Sequence, residues 1–171
     1  MNLFQSLPKK TLFLRLSALS LCLGLLVACG GAPKPKPEVF LKVVNIKVDT
    51  NANQNSAVAM DLVIIYNKDL IGHILALSAS KYFKQKEQLM RDYPGELHAQ
   101  EWEIIPGQLV PRTLIHMKPL PMGAIFFANY GTPGDHRIRL GKEKSVLITL
   151  ARDNFSLAEV ALHPSQNGSD D

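Results

Sequence analysis

The sequence predicts a mainly β protein: a two-sheet β-sandwich with a small helical insertion between its second and third strands. Three observations carry this. Short runs rich in Val, Ile and aromatic residues recur along the chain. Pro/Gly pairs or Asn/Asp clusters end most of them, and about seven such runs point to a sandwich. One stretch, Asp69 to Met90, instead repeats its apolar residues at helical spacing.

Val39 to Val48 is the first expected strand. Asp49, Thr50, Asn51, Ala52, Asn53, Gln54, Asn55 and Ser56 break it, because Asn and Asp side chains bond their own backbone and tolerate left-handed turns. Ala57 to Tyr66 is apolar except for Asp61, which fits a central strand covered on both faces. In the helical stretch, Leu70, Ile71, Ile74 and Leu77 share one spacing. After Ser80, read as the cap, Tyr82, Phe83, Leu89 and Met90 fall on one side, and Tyr93-Pro94-Gly95 ends the helix. Strands follow at Gln100 to Ile105, Thr113 to Lys118, Gly123 to Tyr130, Arg137 to Leu140 and Ser145 to Ala151. Phe155 to Leu162 is a weaker terminal strand, and the polar tail 163–171 is expected to be disordered.

The N-terminus has a different logic. Lys9, Lys10 and Arg15 precede an apolar run from Leu16 to Val27, the layout of a secretory leader. The run is shorter than the ~20 residues a spanning helix needs. Leu26-Val27-Ala28-Cys29 closes it and resembles the lipobox of bacterial lipoproteins, in which the chain is cut before an acylated cysteine. The alternative is an ordinary leader with a chance cysteine. The resemblance makes residues 1–28 the leader and Cys29 the lipidated residue. Gly30 follows, where an aspartate favours the inner membrane, so the analogy points to the periplasmic leaflet of the outer membrane. Residues 29–38 carry alternating Pro and Lys, a polyproline II spacer, and lead into a domain at 39–162.

Loss of residues 1–28 leaves 143 of the 171, enough for one domain with a core. The formal charge of +4 falls to about +1 once Lys9, Lys10 and Arg15 leave. A near-neutral chain without a basic stripe argues against a nucleic-acid partner. Cys22 goes with the leader and Cys29 is taken by lipid, so no disulfide, catalytic thiol or zinc site is expected.

A reaction centre is equally hard to find. His73, His98, His116, His136 and His163 show no HExxH or i,i+4 spacing, so no metal is expected. A GxSxG motif is absent, and Ser78 and Ser80 read as caps. Asp135-His136 reads as part of a polar turn, and Glu101 and Glu103 as exposed carboxylates on one strand face. Trp102 reads as core. Gly131-Thr132-Pro133-Gly134 lacks the lysine of a phosphate loop. No catalytic residue, cofactor or small-molecule substrate is expected; the pattern is that of an anchored binding module.

Several features in order resemble the TssJ (SciN-like) outer-membrane lipoproteins of type VI secretion systems. They are the lipobox, the Asn/Asp-rich loop from Asp49 to Ser56, and Ser56-Ala57-Val58 leading to Ile65-Tyr66. Tyr82-Phe83, then Glu101-Trp102-Glu103-Ile104-Ile105-Pro106-Gly107, Ala124 to Tyr130, Arg137 and the closing strand Val146 to Leu150 follow. The loop lacks the Asn-Pro and Ser-Pro pairs of that family. The resemblance implies a transthyretin-like sandwich and a non-enzymatic role. It implies an outer-membrane anchor for a trans-envelope complex, made by binding the periplasmic domain of a TssM-like inner-membrane protein. The loop between the first two strands is implicated in that contact, which places it on Asp49 to Ser56, with the turn from Gly131 to His136 as the next candidate. Two other readings stand beside it: another sandwich lipoprotein, such as a secretin pilot or ligand-binding module, and a lipid-anchored periplasmic hydrolase.

Overall fold

The structure, a computed structural model, describes residues 36–162. The leader, Cys29, Gly30, the spacer as far as Pro35 and the tail from His163 onward lie outside the described residues. The elements run β1 (Val43–Val48), β2 (Val58–Ile65), α1 (Leu70–Leu75), α2 (Ala79–Asp92), β3 (Leu97–Ile104), β4 (Thr113–Leu114), β5 (Gly123–Ala128), β6 (Arg137–Arg139), β7 (Ser145–Leu150) and β8 (Phe155–Glu159). They build two four-stranded sheets, ordered β4-β1-β7-β8 and β3-β2-β5-β6. The expected sandwich, with its helices between the second and third strands, is therefore the observed one.

β2 shows why its sequence does not alternate. It lies between β3 and β5 in the middle of its sheet. Successive side chains leave a strand by opposite faces. Val58, Met60, Leu62 and Ile64 enter the sandwich interior with Val44, Phe126, Val146 and Ile148. Val63 and Ile65 leave by the other face and join Ile71, Ile74, Tyr82 and Leu89 of the two helices. Each fully buried side chain of this size contributes roughly 1.5–3 kcal/mol. Gly123 of β5 lets α1 seat closely, since a Cβ there would come within 3.0 Å of Ile71.

Asp61 is the exception inside β2 and is only 2% exposed. The Tyr82 hydroxyl donates to its carboxylate at 2.8 Å. The Lys86 ammonium lies 2.7 Å from it and 2.8 Å from Glu101. These bonds fix α2 across β2 and β3. Glu101 is exposed, as expected, but it is also a partner of this network. Burial, then the negative Asp61, pushes the Tyr82 hydroxyl far above its ordinary range. For Lys86, burial alone would lower the pKa; the bonds to Asp61 and Glu101 outweigh it and hold the group above its usual value. Tyr82 also stacks on Phe127, with ring centroids 4.4 Å apart.

Several expected boundaries move. β1 begins at Val43 rather than Val39. Val39 and Leu41 are buried, yet this segment makes only scattered bonds, such as Glu38 N–H to the Pro121 carbonyl. Apolar alternation reported burial there, not strand pairing. β3 starts earlier, at Leu97, because its polar outer face suits an edge strand. The strand expected from Thr113 to Lys118 pairs only at Thr113–Leu114. Trp102 is half-buried rather than fully in the core, packed at its margin. Of the two serines read as caps, Ser78 caps α2, its Oγ accepting the Lys81 N–H at 3.4 Å, and Ser80 lies inside the helix. The helix ends at Tyr93, as the Tyr-Pro-Gly sequence predicts. One pairing has no local signature: β1 and β7 run parallel, from Val43 opposite Ser145 to Val48 opposite Leu150.

Candidate partner-binding loop cluster

Because β1 and β7 are parallel, both end at the same edge of their sheet. The loop after β1, the turn after β7 and the β5–β6 turn of the facing sheet meet there. Asp49 N–H donates to the Leu150 carbonyl at 2.9 Å, Asn53 N–H to Ala151 and Gln54 N–H to Arg152. Within the loop, Ala52–Asn55 forms a tight turn whose backbone is left-handed at Asn53 (φ 45°), Gln54 (φ 55°) and Asn55 (φ 65°). That region costs non-glycine residues roughly 1–2 kcal/mol each, least for Asn. The surrounding bonds compensate. The Asn53 amide donates to the Ala57 carbonyl at 2.8 Å, and its oxygen accepts the Gly131 N–H at 2.8 Å. Gln54 Nε2 donates to Asp153 Oδ1 at 3.1 Å.

The eight loop residues therefore divide. Ala52 and Asn53 are buried, so their side chains hold the loop and do not present it. Thr50, Asn51, Gln54, Asn55 and Ser56 are exposed, and Asp49 is half-buried. The amides of an Asn-rich loop serve two purposes, and composition alone does not separate them.

The turn from Gly131 to His136 is the neighbour of this loop. His136 is buried in a left-handed conformation (φ 42°) and stacks on Tyr130. Its Nδ1 lies 3.0 Å from Asn154 Oδ1 and its Nε2 2.8 Å from the Thr132 carbonyl. A Cβ at Gly134 would fall 2.9 Å from the imidazole, so only glycine fits. Asp135 does not face the ring; its carboxylate pairs with Arg137 at 2.9 Å. The Asp135-His136 pair is thus a structural turn, and the Asp135 carbonyl accepts the Ala79 N–H, tying the turn to α2. Tyr130 donates its hydroxyl to the Ala151 carbonyl at 3.0 Å. Burial, with Asp49 adding to it, pushes this hydroxyl up to about 12.

A third connection joins the cluster. Gly107 N–H donates to the Asp49 carbonyl at 3.1 Å, which brings the β3–β4 connection alongside the loop. On this connection Ile105 is 60% and Leu109 94% exposed. The sequence placed Ile105 at the end of a strand and gave Leu109 no role. The available signal was a Pro-Gly turn flanked by large apolar residues, where turns are ordinarily polar. Among the described residues, no group of three or more His, Cys, Asp or Glu is placed to hold a metal. No described helix is long and apolar enough to cross a membrane.

A mixed sheet and an antiparallel sheet, a helical pair on the outer face of the antiparallel one, and a pinned loop between the first two strands define a small sandwich of the kind seen in the type VI secretion lipoproteins. The TssJ1 lipoprotein of that system from Pseudomonas aeruginosa superposes with a TM-score of 0.56 at 17% identity, covering 75% of this chain and 100% of that one. Lip of Serratia marcescens, a membrane-bound component of the type VI secretion system, gives 0.53 at 11% identity, covering 74% and 100%. A chain of a type VI membrane complex gives 0.52 at 16%, covering 69% and 98%. At these identities the likeness establishes the fold. By sequence, no protein-family model and no curated protein matches the chain.

Proposed function

We propose that the protein is a non-enzymatic lipoprotein of a type VI secretion membrane complex, anchored through Cys29 in the periplasmic leaflet of the outer membrane. Gly30 directs that sorting. The anchored domain binds the periplasmic domain of a TssM-like inner-membrane protein through the loop 49–56. One observation carries the reading: the fold shared with type VI lipoproteins presents this loop already locked, so little ordering entropy opposes binding. Thr50, Asn51, Gln54, Asn55 and Ser56 supply the polar contacts. Ile105 and Leu109, on the connection that Gly107 bonds to Asp49, supply apolar anchors of the kind that dominate interfaces.

The test is calorimetry of the mature protein with the partner's periplasmic domain. Asn51→Ala, Gln54→Ala and Asn55→Ala should each weaken binding by about 1–2 kcal/mol, and Leu109→Ser by at least as much. Unchanged affinity in all four would move the interface away from this loop. Palmitate labelling tests the anchor: Cys29→Ser should abolish uptake and release the protein from membranes.

A further inference from the structure

The opposite end of the sandwich carries an apolar groove of ≈ 600 Å³. It lies at the starts of β1 and β7, where Val43 faces Ser145, one full strand length from the loop 49–56. Phe40, Leu114, Leu120 and Leu162 line it and are 37%, 61%, 43% and 42% exposed. Lys42, Lys118 and Lys144 stand around them, and among the described residues no carboxylate lines the groove. Phe40 also borders a neighbouring depression that adds Lys36, Lys68, Arg139 and Lys142. Of its two carboxylates, Glu38 is paired with Arg139 and Glu143 accepts the Gly141 N–H.

From these features we infer that this end is a membrane-docking face: its apolar groove and lysine rim rest on an anionic lipid surface. The inference rests on the reading that Cys29 is acylated. Three observations agree on a bilayer as the occupant. The described chain begins here, with Lys36 beside Phe40 and the Glu38 N–H on the Pro121 carbonyl. Six residues, 30–35, separate Lys36 from the acylated cysteine, which makes seven steps along the chain. At ~3.1–3.6 Å per step these reach at most about 25 Å, so lipid is never farther than that from Lys36, at the edge of this face. The charge also matches, since apolar side chains ringed by lysines are the composition of interfacial anchors on anionic lipid. Contiguous exposed apolar surface of this kind marks an interaction site. Docking would hold the sandwich with its long axis away from the membrane and the loop 49–56 outermost.

The test uses the full mature lipoprotein. Once Cys22 leaves and Cys29 is acylated, an introduced cysteine is the only free thiol. A solvent-sensitive fluorophore is placed at Leu120→Cys or, as the distal control, Gln54→Cys. Each protein is reconstituted into vesicles of phosphatidylcholine carrying a spin-labelled lipid, with or without phosphatidylglycerol. Quenching should be several-fold stronger at position 120 than at 54 and stronger with phosphatidylglycerol. Raised salt, or the triple change Lys42→Glu, Lys118→Glu, Lys144→Glu, should weaken it. Equal or absent quenching at both positions, in protein that sediments with the vesicles, overturns the docking face and leaves the anchor standing. Protein that does not sediment with either vesicle overturns the anchor and the face together. A probe at 120 that is already dehydrated without vesicles, and becomes solvated when the chain stops after Leu162, shows that residues 163–171 fill the groove and also overturns it.

Discussion

The two ends of this sandwich are built by different chemistry. At one, the loop 49–56, the 131–136 turn and the 151–154 turn are knitted by side chains that bond backbone: Asn53 to Ala57 and Gly131, Tyr130 to Ala151, Thr132 to Asp153. At the other, Phe40, Leu114 and Leu120 stand partly in solvent among lysines. The first end pays in backbone strain for a fixed polar shape. The second keeps no such shape and offers only hydrophobic area and positive charge. A surface meant for a specific protein needs the former, because ordering a loop on binding erodes affinity. A surface meant for a fluid bilayer needs only the latter.

The contrast can be broken or sharpened by substitution. Asp61 lies between the ends and sets the scale. Asp61→Ala strands the Tyr82 hydroxyl and leaves Lys86 with Glu101 alone, and should cost about 3–5 kcal/mol in denaturant unfolding. Asn53→Ala comes next, at about 2–4 kcal/mol, because it removes both the bond to the Ala57 carbonyl and that from the Gly131 N–H and puts a residue less tolerant than Asn in a left-handed turn. Asn51→Ala, two residues away and exposed, should stay within about 0.5 kcal/mol of the parent while still weakening partner binding. A loop whose two Asn substitutions behaved alike would not be divided as described.

Alkaline pH should also act on the knitted end. The Tyr130 hydroxyl is pushed up to about 12, whereas an unfolded tyrosine titrates near 10. The folded state keeps its proton over that interval and the unfolded state loses it, so stability is intact below about pH 10 and falls as pH rises toward 12. Tyr82 and Lys86, both raised, add in the same direction. Thermal melts against pH should therefore drop above about pH 10 and flatten in Tyr130→Phe, with part of the remaining slope lost in Tyr82→Phe. The smallest effects belong to the open end. Leu120→Ser, and the lysine reversals at 42, 118 and 144, should change stability by no more than about 0.5 kcal/mol each, since these side chains are exposed. A larger loss at Leu120 would mean that the groove is part of the core.

Much of this architecture was legible residue by residue. The unbroken apolar run of β2 announced a strand covered twice, and Leu70, Ile71, Tyr82 and Leu89 announced helices with one buried side. The Asn-rich break after β1 was legible as a turn, but not the division of labour within it. Asn51 and Asn53 have the same side chain, and only the position of Gly131 made one of them a strut. Val39 misled for the opposite reason: burial and strand pairing leave the same apolar trace, and hydrogen-bond partners are far away in sequence.

The sequence by itself determined the period of each element and the turns between most of them, because these depend on neighbours a few residues apart. The tertiary structure alone decided that β1 lies parallel to β7, that Asp61 is paired with Lys86, and that Gly107, on the connection carrying Ile105 and Leu109, bonds Asp49. It alone gathered the lysines at 42, 118 and 144 around one apolar groove. Each of these joins residues separated by tens of positions, and such contacts are selected by the packing of the whole chain rather than by any local preference.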